Sequence, residues 1–517
     1  MKDHIFTRFW LLLALFPLLA VLQGCPGNDD PPIKDEEAEK IAADPDYKAK
    51  DYLRKEYMDV YYYWRDQVKS RNANFKPYDY DIYDFFDIML YQKDRWSWMC
   101  DKEYYVSSET GVYTGTWGVS LDQAVEMGDY SIYIRYIYPG SPFEQYGVTR
   151  GAKITHINGV NVMDDESGFT REKLNYFNEN YNKSPQTFTF RLADGRDTTF
   201  TAQKAMSLST HPVLITRVYQ PDEFPGLAEP VGYFHYLSFL GSEVFLEEID
   251  NAMKTLHDAG VKKAIIDLRY NGGGDSRASQ RLIDYLAPKS AEGKTYVVRK
   301  HNSYVASDMD MYSDIIASSK SSYAGGDKTK ETYWDKVYPN RLDLDGIYFI
   351  TGDGTASASE MVMNGLRPFM GDKLQMVGDT TYGKPNGMYV LMYPGSDSDY
   401  ERYNNDDYTN LKWVFLPICF YNMNGNGEQI PDDGFVPNSR RPDDLFHDFG
   451  VQEDLIKACL THIVSGSYPA VNNIPTKAAG RTGARLQREE DAPGYGLYTV
   501  RRADFFRKKI GFFNFFK

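Results

Sequence analysis

The chain has 517 residues, a formal net charge of −15 and four cysteines. This length exceeds what one hydrophobic core supports and predicts about three domains. The acidic balance argues against a nucleic-acid partner, because such proteins present basic surfaces. The cysteines are too few for a disulfide framework, and neither a Cys-x-x-Cys nor a His-x-x-x-His spacing occurs in the sequence. We therefore expect no metal and no organic cofactor.

Residues 1–24 predict a targeting segment. Two basic residues precede an apolar run at 9–22, which is short for a membrane span. The run ends in Leu-Gln-Gly before Cys25, which resembles a bacterial lipobox and implies a lipid anchor on that cysteine; the alternative is an ordinary secretory signal. Residues 25–44 read as an acidic spacer. Since an acidic run follows the cysteine in lipoproteins of the Bacteroidetes type, we expect an outer-membrane lipoprotein that faces the periplasm or the cell surface.

Residues 45–104 predict an N-terminal helical region. Apolar and aromatic side chains recur there at helical spacing. One predicted face consists of Leu53, Tyr57, Val60, Tyr61 and Trp64, and a second consists of Ile82, Phe85, Phe86, Met89 and Leu90.

Residues 105–205 change to short alternating strands. They contain a Ser-Pro pair at 141–142, a Gly-x-x-x-Gly turn at 147–151 and Ile-x-x-Ile-Asn-Gly at 154–159. This combination resembles a PDZ domain of the bacterial protease type. Such domains receive an extended peptide as an added strand and hold its terminal carboxylate with backbone N–H groups.

The resemblance assigns peptide binding to the start of the first long strand of this segment. Gly118 and Val119 lie where the carboxylate loop is expected, and Leu121 would favour an apolar last residue. The alternative is a PDZ fold that serves as a gate or spacer without binding a peptide end.

Residues 206–465 alternate strands and helices. Strands are predicted at 231–239, 263–268 and 347–350, with an amphipathic helix at 245–256, which fits a βαβ core. The tail at 466–517 is basic and rich in Phe. One interpretation is that the tail contacts an anionic membrane surface. The other, which we favour, is that it packs locally or is disordered.

A short polar motif follows the strand at 347–350. It reads Thr-Ala-Ser-Ala-Ser-Glu from residue 355, and Lys384 follows Ser357 after 27 residues in the run Thr-Tyr-Gly-Lys. A serine hydroxyl needs a base to take its proton, and a lysine can serve if burial keeps its amine neutral. The motif and its spacing resemble the Ser-Lys centre of the C-terminal processing (tail-specific) serine peptidases.

This resemblance covers roughly residues 45–465 and implies a multidomain α+β protein. Its parts would be the helical region, the PDZ-like β-rich domain and an α/β-sandwich core of the crotonase-like kind. The run Asp-Arg-Trp-Ser-Trp at 94–98 resembles the family's junction after the helical region, and we assign it no chemistry.

Three residues carry the predicted catalysis. Ser357 is the nucleophile by its place three residues before Glu360, and Ser359 is the rival. Lys384 is the general base, whose useful pKa of ~7–8 requires an apolar pocket. Glu360 is read as orienting the amine, although its charge would raise the pKa of the lysine; the alternative is a carboxylate at a helix N-terminus.

A triple glycine supplies the predicted oxyanion hole. It follows Asp-Leu-Arg-Tyr-Asn at 267–271, and the family has the same signature. We expect the N–H of Gly274, with Gly273 as second choice, to act together with the N–H of Ala358.

One position departs from the family pattern. Met388 stands where a glutamine, sometimes a glutamate, usually helps to position the lysine. The leading interpretation is a lipid-anchored serine endopeptidase that acts on unstructured or C-terminal protein segments. The alternative is a catalytically silent PDZ-containing adaptor, and an α/β-hydrolase is disfavoured because Gly-x-Ser-x-Gly is missing around the serine.

Overall fold

The computed structural model describes residues 35–126, 129–166, 168–307, 315–317 and 337–471. The predicted signal segment, Cys25 and nearly all of the tail lie outside these residues. Among the described helices, none is long and apolar enough to cross a membrane. The α-helices span Asp35–Ala43, Tyr47–Tyr52, Arg65–Asn72, Ile82–Met89, Lys102–Thr110, Arg171–Asn180, Glu243–Asp258, Ser276–Leu286, Ser303–Ala306, Ala358–Met370, Asp397–Tyr403 and Asp454–Ser465.

The strands of the described residues form five sheets. They are β1 (Trp98–Asp101), β2 (Val112–Tyr113), β3 (Val119–Glu126), β4 (Asp129–Ile137), β5 (Lys153–Ile157), β6 (Val160–Asn161), β7 (Gln186–Arg191), β8 (Asp197–Ala202), β9 (Leu208–Ser209), β10 (Val213–Tyr219), β11 (Val231–Tyr236), β12 (Lys263–Asp267), β13 (Thr295–His301), β14 (Ile315–Ala317), β15 (Gly346–Thr351), β16 (Leu374–Gly378), β17 (Asn386–Met388), β18 (Leu391–Tyr393), β19 (Trp413–Leu416), β20 (Ile418–Asn424) and β21 (Ser439–Arg440).

The N-terminal region is helical, as predicted, but its first long helix is interrupted. The α-helix Tyr47–Tyr52 continues as a π-helix at Leu53–Met58 and then stops. The chain turns because the N–H of Tyr63 donates to the carbonyl of Ile418 in β20 instead of continuing the helix. The predicted face therefore breaks: its first two residues are buried, and the last three lie in the turn. The second predicted helix is confirmed at Ile82–Met89.

The segment after the helical region is β-rich, as predicted. An antiparallel sheet has the order β3-β4-β5-β7-β8, with β6 on β5, and the helix Arg171–Asn180 accompanies it. Its core is aromatic: the Trp117 ring stacks on Phe143 and meets Phe188 edge to face. Within the described chain β3 pairs only with β4, so its other edge has no strand partner. The PDZ name for this fold stays a prediction.

The central sheet places helices on both faces and forms an α/β sandwich. Strands β11, β12, β15, β16 and β21 are parallel, and β10 is antiparallel at the edge. The helices Glu243–Asp258, Ser276–Leu286 and Ala358–Met370 pack on one face, and Asp454–Ser465 packs on the other. In parallel sheets, loops after the carboxyl ends of neighbouring strands meet at one edge. The glycine loop follows β12 and the serine motif follows β15, so the two are adjacent.

Candidate active site

Ser357 lies in a strained turn between β15 and the helix Ala358–Met370. Its φ of 56° and ψ of −112° put a residue other than glycine in a sparsely populated region of backbone space. Such strain persists only where the surroundings fix the backbone. Here the Thr355 hydroxyl donates to the carbonyl of Leu268, 2.7 Å away, which ties the turn to the end of β12. Ser357 is half-buried.

The rival Ser359 occupies a different environment. It is fully buried, and its hydroxyl donates to the carbonyl of Asn271 at 3.0 Å. That hydrogen bond holds the glycine loop against the helix start. Ser357 is therefore the less buried of the two serines, and the hydroxyl of Ser359 already has a structural partner.

The glycine loop approaches Ser357 too closely for any side chain. A Cβ on Gly273 would lie 2.8 Å from the Cβ of Ser357, and one on Gly274 would lie 2.1 Å from the carbonyl of Phe239. Their φ values of 105° and 140° also require glycine. The sequence thus places glycine where the backbone of the loop comes close to Ser357.

The side chain of Asn271 decides which N–H groups are free in this loop. Its Oδ1 accepts from the N–H of Gly273 at 2.9 Å, while its Nδ2 donates to the carbonyl of Tyr236. Among the hydrogen bonds of the described residues, none uses the N–H of Gly274 or of Ala358. The first-choice pair for an oxyanion remains available, and Gly273 is committed elsewhere. Asn271 was not singled out as functional from the sequence, although it belongs to the signature that precedes the glycines.

Lys384 lies in a partly buried loop after β16. Burial lowers the pKa of its amine to about 8, against the opposing charges of Glu360 and Asp94. This direction agrees with the requirement for a lysine that acts as a base. The amine nitrogen lies 4.0 Å from the sulfur of Met388. In the part of the chain that the structure describes, no hydrogen bond joins the Ser357 hydroxyl to this amine.

Glu360 links the turn that carries Ser357 and the loop that carries Lys384 through their backbones. Its fully buried carboxylate accepts from the N–H of Ser357 at 2.9 Å and from the N–H groups of Gly383 and Lys384, both at 2.8 Å. The Thr381 hydroxyl adds a fourth bond at 2.6 Å. Burial raises the pKa of Glu360, and these hydrogen bonds oppose the rise. The carboxylate thus fixes the loop that carries the lysine and makes no hydrogen bond to the amine.

The run at residues 94–98, to which Sequence analysis assigns no chemistry, lies close to the site. Asp94 is buried and accepts from the hydroxyls of Tyr62 and Ser97 at 2.8 and 2.5 Å. Its charge is one of the two that raise the pKa of Lys384. Arg95 donates to the carbonyl of Asp432, against which Gly383 packs. The signal was the Asp-Arg-Trp-Ser-Trp run itself, which we had assigned to packing.

The predicted peptide-binding residues lie together at the start of β3. The N–H of Gly118 donates to the Thr116 hydroxyl at 3.1 Å, so this group is already engaged. Val119 is buried, and Leu121 packs against the core of the β-rich domain. The role of these residues stays a prediction. Within the described ranges, no group of three or more His, Cys, Asp or Glu residues is arranged to hold a metal ion, and Cys100, Cys419 and Cys459 are free and buried.

Comparison with known proteins bears directly on this site. Residues 230–410 match the sequence model of peptidase family S41, a range that contains the glycine loop, Ser357 and Lys384. A search of curated proteins finds no match to the chain.

One solved structure agrees with the family match in fold, and two others align with lower TM-scores. A protein from Bacteroides fragilis assigned to the S41 proteases aligns with a TM-score of 0.59 at 19% identity, over 80% of this chain and 97% of that chain. The photosystem II D1 C-terminal processing protease (TM-score 0.40, 17% identity) aligns over 79% of this chain and 94% of its own. Mature CPAF bound to lactacystin (TM-score 0.39, 10% identity) aligns over 81% and 96%. The family predicted from the sequence is confirmed by the match of residues 230–410 to the model of peptidase family S41.

Proposed function

We propose that the protein is a serine endopeptidase that uses Ser357 and Lys384 as a dyad. The single observation that carries this proposal is the joint placement of a strained, half-buried Ser357 and a lysine with a lowered pKa, both fastened to Glu360. In this mechanism the neutral amine of Lys384 takes the proton of the Ser357 hydroxyl. The oxygen attacks the peptide carbonyl, and the ammonium then returns the proton to the leaving amine, which gives an acyl-enzyme.

The glycine loop would stabilise the charge that develops on the carbonyl oxygen. Ala358 follows Ser357 directly, Gly274 follows the glycine that packs against Ser357, and among the described residues neither N–H has an acceptor. One preorganised donor of this kind is typically worth ~2.7–4 kcal/mol of transition-state stabilisation. The acyl-enzyme is then hydrolysed by water, with Lys384 again as the base.

Substrates would be unstructured or C-terminal segments of proteins, received by the β-rich domain. The support is the edge of β3, which begins beside Gly118 and which no other described strand pairs, because PDZ domains receive a peptide as an added strand. Because the N–H of Gly118 is engaged with Thr116, a carboxylate would use the neighbouring N–H groups or displace that bond. The alternative role of this domain is a gate or spacer.

We place the enzyme at the outer membrane, facing the periplasm or the cell surface and held by a lipid on Cys25. This rests on the lipobox-like sequence before Cys25 and the acidic spacer after it. The mechanism uses no metal and no organic cofactor, and no nucleic-acid partner is expected of so acidic a chain.

A second candidate is a silent binding or adaptor protein on the same fold. The observation that favours it is the contact of the Lys384 amine with the Met388 sulfur in place of a hydrogen bond to Ser357. The two functions differ in whether a covalent intermediate forms.

The test combines an unstructured peptide, its C-terminally amidated twin and a serine-reactive phosphonate. We expect cleavage by the wild type, none by Ser357→Ala, and retained activity in Ser359→Ala at a stability cost of ~1 kcal/mol for one lost hydrogen bond. The amidated peptide should show a raised KM if the β-rich domain holds the carboxylate. Binding of the peptide without cleavage or phosphonate labelling would establish the adaptor instead.

A further inference from the structure

Four aromatic side chains meet where the N-terminal helical region contacts strand β20, and we call them the four-ring group. They are Tyr63, Trp64, Tyr91 and Tyr421, and all four are half-buried. The ring centroids of Tyr63 and Tyr421 lie 4.6 Å apart, and that of Trp64 lies 5.9 Å from Tyr91 and 6.2 Å from Tyr421. Partly exposed rings in mutual contact offer an apolar surface with polar edges, which is typical of binding sites.

The backbone places this group on the same face of the sheet as Lys384. Strand β17 pairs with β20, and Asn386 stands opposite Tyr421. The pairing extends to Pro385, whose carbonyl accepts the N–H of Asn422 at 2.8 Å. Side chains of directly opposed residues lie on one face of a sheet, and residues two apart in an extended chain share that face. The ring of Tyr421 and the side chain of Lys384 therefore belong to the same face.

The turn before the lysine supports this placement. Gly383 packs against the backbone of Asp432, since a Cβ on the glycine would lie 2.3 Å from the carbonyl oxygen of Asp432. Burial and, after it, the charge of Asp432 raise the pKa of Tyr421. Asp432 thus lies near both the Tyr421 side chain and the loop that carries Lys384.

The other end of the four-ring group approaches the amine from the helical region. The Trp64 ring lies 5.8 Å from that of Tyr62, whose hydroxyl donates to Asp94 at 2.8 Å. Asp94 is one of the two charges that act on the amine of Lys384. The group therefore borders the lysine from two separate segments of the chain.

The chemistry of the dyad decides which part of a substrate would lie beside these rings. In the proposed mechanism Lys384 returns a proton to the leaving amine, so the chain on the carboxyl side of the cleaved bond passes next to this lysine. The amino side stays on Ser357 as the acyl group. Rings that border the lysine therefore face the leaving segment.

We propose that the four-ring group is a subsite for the leaving segment of the substrate. It takes an aromatic or large apolar side chain from one of the first few residues after the cleaved bond. This inference rests on the proposed function, because the direction of the substrate follows from the roles of Ser357 and Lys384.

The experiment uses a set of unstructured peptides whose cleavage sites are mapped by mass spectrometry. Matched peptides then differ only by Phe or Ser at each of the first few positions after the cleaved bond. They are given to the wild type, Tyr421→Ala, Tyr63→Ala and Tyr421→Phe. The control is Tyr468→Ala, which removes a half-buried ring stacked on His462 at 4.2 Å on the other face of the central sheet. Thermal unfolding checks that each variant is folded.

We expect the wild type to cleave the Phe peptide with a kcat/KM about tenfold above that of the Ser peptide at one of these positions. Tyr421→Ala and Tyr63→Ala should bring the two peptides to within about twofold, through a loss on the Phe peptide alone. Tyr421→Phe keeps the ring and should keep the preference. Tyr468→Ala should follow the wild type.

Equal cleavage of the Phe and Ser peptides at every position, or an unchanged preference in both alanine variants, would overturn the inference. A second measurement separates it from the proposed function. Peptides that carry photoreactive benzoylphenylalanine are crosslinked to Ser357→Ala, and we expect the label on residues 60–64 or 420–422. If the wild type cleaves no peptide but the label is found there, the rings bind aromatic side chains and only the peptidase proposal fails. A label confined to other segments would overturn the subsite.

Discussion

Two buried groups of charged side chains lie in the α/β core, and they are organised in opposite ways. In the first, Arg269 is surrounded by carboxylates: Asp267 at 2.7 Å, Asp443 at 2.9 Å and Glu453 at 2.5 Å. In the second, the Glu360 carboxylate accepts only from neutral donors, while the amine of Lys384 contacts a sulfur.

The first group joins segments that are far apart in the chain. Arg150, from the β-rich domain, donates to Asp443 at 2.9 Å and to the Tyr270 hydroxyl at 2.6 Å. Burial alone would raise the pKa of Asp443, but the guanidinium groups of Arg150 and Arg269 outweigh it and hold the pKa well below its usual range. These charges stay fixed at physiological pH and fasten the β-rich domain to the residue before Asn271.

The difference shows why some buried groups stay charged at physiological pH while another can change its protonation state. A buried charge with a close opposite partner keeps its ionised form, because the partner offsets the lost hydration. A buried amine with no directly bound carboxylate is left with the cost of lost hydration, so its proton becomes easy to remove. In this chain the second arrangement is found at the residue that the mechanism needs as a base.

The largest effect is expected when the charge at position 384 is made permanent. Lys384→Arg should lower kcat by about 10²–10⁴-fold, as much as Lys384→Ala, because a guanidinium cannot accept the serine proton. Peptide cleavage measures this, and the exposed Lys373→Arg serves as the control. Near-normal turnover of Lys384→Arg would show that position 384 supplies only a positive charge.

The first group is tested by removing its central cation. Arg269→Met should destabilise the protein by about 3–5 kcal/mol, because Asp267 and Glu453 are left buried without their partner. Urea unfolding measures the loss. Arg440→Met breaks the exposed pair with Asp379 and should cost under about 1 kcal/mol. Equal losses of stability in the two variants would contradict the view that burial increases the contribution of the first group to the free energy of unfolding.

In the second group, removing the charged side chain should stabilise the protein instead of destabilising it. The folded pKa of Lys384, about 8, lies below the ordinary lysine value of 10.5, so the charged amine weakens the fold at pH 7 and this penalty fades as pH rises between these values. Lys384→Met should therefore gain about 1–3 kcal/mol at pH 7 and less at pH 9.5. Urea unfolding at both pH values tests it, with Lys373→Met as the surface control. A less stable Lys384→Met would mean that the amine is favourably paired.

The order of the elements and the place of the candidate site residues in it were largely predictable from the sequence. The strands β12 and β15 follow from hydrophobic pattern, and local motifs indicated the candidate nucleophile, the candidate base and the glycines. These features are short-range in sequence. They depend on residue type and spacing, which the sequence displays directly.

What could not be predicted depends on contacts between distant segments. Arg150 and Asp443 are 293 residues apart, and nothing near either one indicates the other. The engagement of Gly273 by Asn271 depends on one side-chain rotamer. Glu360 was expected at the amine, but the turn after Thr381 brings backbone N–H groups to its oxygens first. Side-chain direction within a folded loop is the quantity that sequence pattern does not contain.

The smallest expected effect concerns the charge of Glu360, and it sharpens the contrast between the two groups. Glu360→Gln removes the charge with the larger effect of the two that raise the pKa of Lys384, so the midpoint of the pH–rate curve should move below about 8. The plateau kcat should fall by a modest factor, since an amide accepts with one oxygen where the carboxylate used two. The matched control is Glu428→Gln, whose carboxylate binds Asn424 in an exposed turn. If the midpoint stays at the wild-type value while the plateau falls, Glu360 acts only through the backbone N–H groups that it binds. Its charge then has no effect on the pKa of the Lys384 amine.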